Sequence, residues 1–303
     1  NANTKLEQVD IMLTDNDSTN VSMYDGNQLD IVLDNIPPAD RKRMLKEGKL
    51  KTLPYLSTGY WCFNVEKAPF DNLKVRKAFA LAIDREAITK NLENGSKPAV
   101  GWVPPGIPDA EPGSDFRTVG GPLVKYDPVE AKKLLAEAGY PDGKGLPPII
   151  MIYNTAEINK AISEMIQEMW KKNLGVDVKI ENQEWKVFLN NRQKGNYQVA
   201  RHGWTGDYED AFTFISLFTS TSGNNDAQYK NPEYDKMVAK SYTLQNPKER
   251  MKLFHEMEKM LVVDDVIMAP ILHNPQFLLA KPNVKGVIHS SVGAVYFRHA
   301  YLE

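Results

Sequence analysis

Apolar positions along the chain recur with two periods, and the switches between them set out the elements. Strand-like runs predict strands over 5–13 and 29–34, with Asp25-Gly26 as the turn between them. Pro37-Pro38 opens a short helix over 39–47 that Gly48 closes, and strands follow at 51–56 and 59–65. Asp71 is the expected cap of a helix over 73–92, where Val75, Phe79, Ala82, Ile83 and Ile88 form a helical stripe ended by Asn94-Gly95.

The Pro- and Gly-rich stretch 101–122 reads as a long ordered loop. Asp127-Pro128, with Glu130 three residues after the cap, starts a helix that ends at Gly139. A strand over 148–154, an amphipathic helix closed by Gly175 and a strand over 176–181 then predict a right-handed crossover between parallel strands. A helix over 184–194 and a strand over 197–204 come next. Helices start at Asn231-Pro232 and at Pro247, and strands over 266–273 and 277–280 finish the pattern. Mixed strands and helices with several crossovers make the fold class α/β. The methionines fall at helical spacing and read as core filling.

Composition narrows the function classes. Hydrophobic residues make up 42% and charged residues 25% of the 303, a soluble globular balance. A net charge of −2, with both signs spread along the chain, argues against a nucleic-acid partner. No apolar run approaches a membrane helix; the run beginning Leu261-Val-Val is interrupted by Asp264-Asp265. Residues 1–10 lack the basic and apolar regions of an export signal. Cys62 is the only cysteine, so an internal disulfide is excluded, and its apolar neighbours Tyr60, Trp61 and Phe63 predict a buried thiol.

A search for reaction chemistry finds little. His202, His255, His273, His289 and His299 show no metal-ligand spacing, and no metal or other cofactor is expected. Gly143-Lys144-Gly145 lacks the strand and the ending of a phosphate loop, and no GxSxG elbow occurs. One segment carries concentrated recognition chemistry: Trp185 and Arg192 on a helix, then Arg201, Gly203 and Trp204 on a strand, with Asp207 just beyond its end. Arg201 and Gly203 share one strand face. A cation at one end and an anion past the other match a zwitterion, because guanidinium binds carboxylate bidentately. On spacing alone an internal Arg–Asp pair with core tryptophans is the better fit.

Several segments in fixed order resemble the oligopeptide-binding proteins of ABC importers. They include Pro69-Phe-Asp-Asn-Leu-Lys-Val-Arg-Lys-Ala-Phe79, Ala82-Ile-Asp-Arg85, Val103-Pro-Pro-Gly106 and Ala131-Lys-Lys-Leu-Leu-Ala-Glu-Ala-Gly-Tyr140. Trp170-Lys-Lys-Asn-Leu-Gly-Val176, Gln183-Glu-Trp-Lys186, Val199-Ala-Arg-His-Gly-Trp-Thr-Gly-Asp-Tyr208 and Ala227-Gln-Tyr-Lys-Asn-Pro-Glu-Tyr-Asp235 continue the match.

The resemblance implies a type II, two-lobed periplasmic-binding-protein-like fold that closes over an extended peptide. In this chain the N-terminal part of the first lobe, with its export signal, and the extra inserted domain are expected to be absent. Residues 1–61 would be a middle piece of the first lobe, 62–274 the ligand-binding lobe and 275–303 the return to the first lobe. By the same resemblance Asp207 binds the peptide's amine, while Gly203, Trp204 and Thr205 present backbone groups to an added strand. Arg192 and Arg201 receive carboxylates of peptides of different lengths, and Trp185 walls a side-chain pocket.

Asn159 stands where enteric relatives have a histidine that helps receive the carboxylate, which puts length preference in question. Thr205 stands where those relatives have a cysteine bridged to the position of Cys62. The implied partners are short peptides and a membrane permease, for an extracytoplasmic monomer that is periplasmic or lipid-anchored. The rival readings are a same-fold receptor for a nickel chelate, haem or oligosaccharide, a peptide sensor without transport, and a hydrolase. The last lacks a visible nucleophile–base pair.

Overall fold

In the computed structural model the described residues are 4–14, 16–34 and 36–303. The chain opens with residues 5–13 largely exposed and outside any strand, against the strand expected there. Ile11 and Leu13 are 77% and 91% exposed. Alternation is present, but a strand forms only where another backbone pairs with it, and among the described residues none does here. The turn expected at Asp25-Gly26 is instead the end of a helix, α1 (Asp17–Asp25), capped by the Asn16 side chain.

Next come β1 (Ile31–Leu33), α2 (Pro38–Lys46), β2 (Leu50–Leu53) and β3 (Ser57–Phe63). The single helix expected over 73–92 is two helices, α3 (Leu73–Leu81) and α4 (Arg85–Leu92). Asn72, not Asp71, caps the first, and Asp84 caps the second by accepting from the amide of Ala87. The break turns Arg85 into the interior, where its Nε donates to the Pro270 carbonyl at 2.5 Å.

After β4 (Lys97–Pro98), the loop contains one short helix, α5 (Phe116–Gly120). The chain continues through α6 (Pro128–Glu137), β5 (Ile149–Asn154), α7 (Glu157–Leu174), β6 (Val178–Gln183), α8 (Trp185–Gln193) and β7 (Val199–Thr205). Then follow α9 (Phe212–Ile215), α10 (Pro232–Ser241), α11 (Pro247–Lys259), β8 (Met268–His273) and β9 (Gln276–Ala280). The strand pattern does not stop there. Two small antiparallel ribbons follow, Val284–Lys285 with Tyr301–Leu302 and Ile288–His289 with Val295–Tyr296.

Two sheets organise the rest. A three-stranded antiparallel sheet has the order β1-β9-β2, and a six-stranded mixed sheet the order β4-β8-β3-β7-β5-β6. The crossover β5–α7–β6 joins parallel strands, as the alternation of periods predicted. Side chains alternate across β3, so Trp61 and Phe63 enter one core with Phe70, Phe79 and Trp170, and Tyr60 and Cys62 enter another with Trp102, Phe214 and Phe254. The small sheet has its own core of Val21, Tyr24, Val32, Met44 and Leu279. The chain passes from the small sheet to the large between β2 and β3, and β3 spans position 61.

One buried ion pair ties the long loop to α11. Arg117 donates twice to Glu258, at 2.7 Å each, and Glu258 also accepts the amides of Trp102 and Val103. Gly101 makes this possible, since a Cβ there would lie 1.4 Å from Arg117 Nη1.

Candidate functional site

The site is built around an uncovered edge. β7 pairs antiparallel with β3 along its whole length, but with β5 only as far as Ala200, opposite Ile152. Gly206 donates to Leu56 at one end of the β3–β7 ladder, and Gln198 accepts from Asn64 at the other. The even-numbered residues of β7 therefore hold the bonds to β3, and the odd-numbered ones aim their backbone groups the other way. Gly203 and Thr205 lie past the last β5 partner, so among the described residues their backbone groups have no strand on that side. Trp204, expected to offer backbone groups too, aims its own at Thr58 of β3. Gly203 is exposed, which leaves the edge open where a second backbone would approach.

Beyond the strand's end Asp207 is exposed, and no cation pairs with it among the described residues. The Thr213 hydroxyl fixes it, accepting from the Asp207 amide at 3.0 Å and donating to its Oδ2 at 3.3 Å. The same hydroxyl accepts from Trp204 Nε1 at 3.4 Å. Thr205 bonds Tyr55 through its hydroxyl at 3.0 Å. Cys62 is a buried free thiol, pushed up to about 12 by burial.

At the other end stands Arg201. Burial, and secondly repulsion from Arg192, lower its guanidinium to about 10, so it is a cation at neutral pH. Among the described residues its one side-chain hydrogen bond, at 3.5 Å, is to Asn154 Oδ1, which also accepts from Asn159 Nδ2 at 3.1 Å. Asn159 is buried on the first turn of α7 and touches this corner through its bonds to Asn154.

Arg192 is placed differently. Its Nε and Nη2 both donate to Asp226 Oδ2, at 2.9 and 2.7 Å. His202 lies beside them, held neutral by burial and then by the two arginines, which push its pKa well below the usual range. Trp185 begins α8, 48% exposed, with its ring 6.1 Å from that of Phe188. Asn154, Thr213, Tyr55 and Asp226 escaped the sequence reading. The faint signals were Asn154 at a predicted strand end and Asp226 directly before the motif starting at Ala227.

The sequence pattern of a family described as "Bacterial extracellular solute-binding proteins, family 5 Middle" matches residues 1–226. The chain belongs to this family. Among curated relatives of these family 5 proteins, it is 34% identical to the oligopeptide-binding protein OppA of Bacillus subtilis over 311 residues, 99% of this chain and 55% of that protein. It therefore spans little more than half the length of such relatives.

Among solved structures, a periplasmic oligopeptide-binding protein of Borrelia burgdorferi superposes with a TM-score of 0.87 at 31% identity, covering 100% of this chain and 59% of that one. OppA of Listeria monocytogenes, solved bound to peptide, gives 0.83 at 29% identity, covering 99% and 59%. The α/β architecture is thus that of the two-lobed, type II periplasmic binding proteins, of which this chain spans a part. Family 5 members are solute-binding proteins, not enzymes.

Proposed function

We propose that the complete protein captures short peptides in an extended conformation and delivers them to the permease of an ABC importer outside the cytoplasm, doing no chemistry on them. One observation carries this reading: among the described residues, a β-edge left unpaired at Gly203 and Thr205 lies between an acid, Asp207, and a cation, Arg201, that no acidic side chain neutralises. A peptide added along that edge would exchange backbone hydrogen bonds with it, its ammonium at Asp207 and its carboxylate at Arg201. Each charge-assisted bond contributes about 1.5–3 kcal/mol.

Reading only backbone and termini leaves ligand side chains loosely constrained, with Trp185 as one wall of a side-chain pocket. The six-stranded sheet and its cores would form the ligand-binding lobe, and the small sheet would belong to the first lobe. The names of the relatives support peptide as the ligand class, and the complete protein is read as a monomeric extracytoplasmic receptor.

Titration calorimetry of the complete protein tests the proposal. Short free peptides should bind at micromolar or lower Kd. Saturation by haem or an oligosaccharide, with no heat from any peptide, would overturn it.

A further inference from the structure

Two arginines stand in opposite situations near His202, which follows Arg201 in β7 and whose Nδ1 lies 3.8 Å from Asp226 Oδ2. Arg192 gives two donors to one oxygen of Asp226, with 16% of its side chain exposed and 7% of the aspartate's. Tyr197 anchors Asp226 from below by donating to its backbone carbonyl. Arg201 has no acidic partner among the described residues, only the long bond to Asn154.

We propose that Asp226 determines ligand length: by engaging Arg192 it leaves Arg201 as the single guanidinium for a peptide's carboxylate. This rests on the peptide reading. An extended chain advances about 3.3 Å per residue, while a charge-assisted bond needs about 2.7–2.9 Å between heavy atoms. One added or missing residue therefore carries the carboxylate out of reach of a single fixed cation. A second free cation nearby would serve a second length. Removing the Asp226 charge leaves Arg192 as a buried, uncompensated cation, the condition under which it draws a new anion.

The test uses the complete protein and alanine peptides of two to six residues, as free acids and C-terminal amides, by calorimetry. In the wild type one length should bind at least tenfold tighter than its neighbours, and amidation should remove that advantage. Asp226→Asn should bring a second length up at least fivefold while the first stays within threefold. The double variant Asp226→Asn with Arg192→Gln, which leaves no uncompensated cation, should return the single-length profile.

A flat length profile in the wild type would overturn the inference, as would an Asp226→Asn profile identical to wild type. Should Asp226→Asn fail to fold, the double variant decides. If it keeps the acid-over-amide preference within threefold the inference stands, and if it loses that preference Arg192 was itself the receptor and the inference falls. Failure of the wild type to bind any free peptide is a separate result, and it sinks the peptide reading as well.

Discussion

Asp207 and Arg201 bracket the open edge of β7 with opposite charges, and neither meets a counter-charge among the described residues. A strand edge of this kind invites a second backbone. The charges decide which backbone, because they fit a chain whose own ends are charged and lie at the right separation.

Thr213 sets the geometry of the acidic end. It is buried, and its single hydroxyl serves the Asp207 amide, the Asp207 carboxylate and the Trp204 indole together. Thr213→Val should cost about 1 kcal/mol of stability, the worth of a typical hydrogen bond. It should also weaken free-amine peptides several-fold by loosening Asp207. Urea denaturation and calorimetry on the same samples check both, and unchanged affinity would show that Asp207 needs no such support.

Glu258 is fully buried and is the counter-charge to Arg117. Glu258→Gln should destabilise the protein by about 3–5 kcal/mol, because it leaves a guanidinium uncompensated in the interior. A loss below about 1 kcal/mol in chemical denaturation would mean that the loop relaxes to hydrate Arg117.

His273 makes stability depend on pH. The Thr58 hydroxyl donates to the Trp102 carbonyl at 3.0 Å, so it accepts from His273 Nδ1 at 2.9 Å, while Nε2 has no partner. Burial lowers this imidazole from 6.5 to about 3. Between those values the unfolded chain binds a proton that the folded one refuses. Stability should therefore be fully present above about pH 6.5 and fall by up to about 1.4 kcal/mol per pH unit on acidification. His202, shifted the same way, steepens the slope. His273→Gln should lower the slope by one proton in denaturation series between pH 6 and 4, and an unchanged slope would contradict the assignment.

How much of this was legible in the sequence follows from how local each cause is. Asp127-Pro128, Asn231-Pro232 and Pro247 announce their helices because a cap and a fixed φ act within one turn. The run 5–13 misleads because alternation shows only that a strand is possible, and pairing depends on distant chain. The break between α3 and α4 is hidden because its reason, the burial of Arg85 against Pro270, spans 185 residues. Trp185, Asp207 and Arg201 stand out in the sequence through local motifs. The engagement of Arg192 by Asp226 lies 34 residues away in sequence, and no local pattern carries it. The family resemblance supplied the two-lobed fold, which periodicity alone leaves at α/β.

The most direct measurement is calorimetry of the complete protein with one peptide in free and N-acetylated forms, in wild type and in Asp207→Ala. Acetylation should weaken wild-type binding at least tenfold, about 1.4 kcal/mol, and make no difference to the variant. Equal wild-type affinity for the two forms would contradict capture of the ammonium by Asp207.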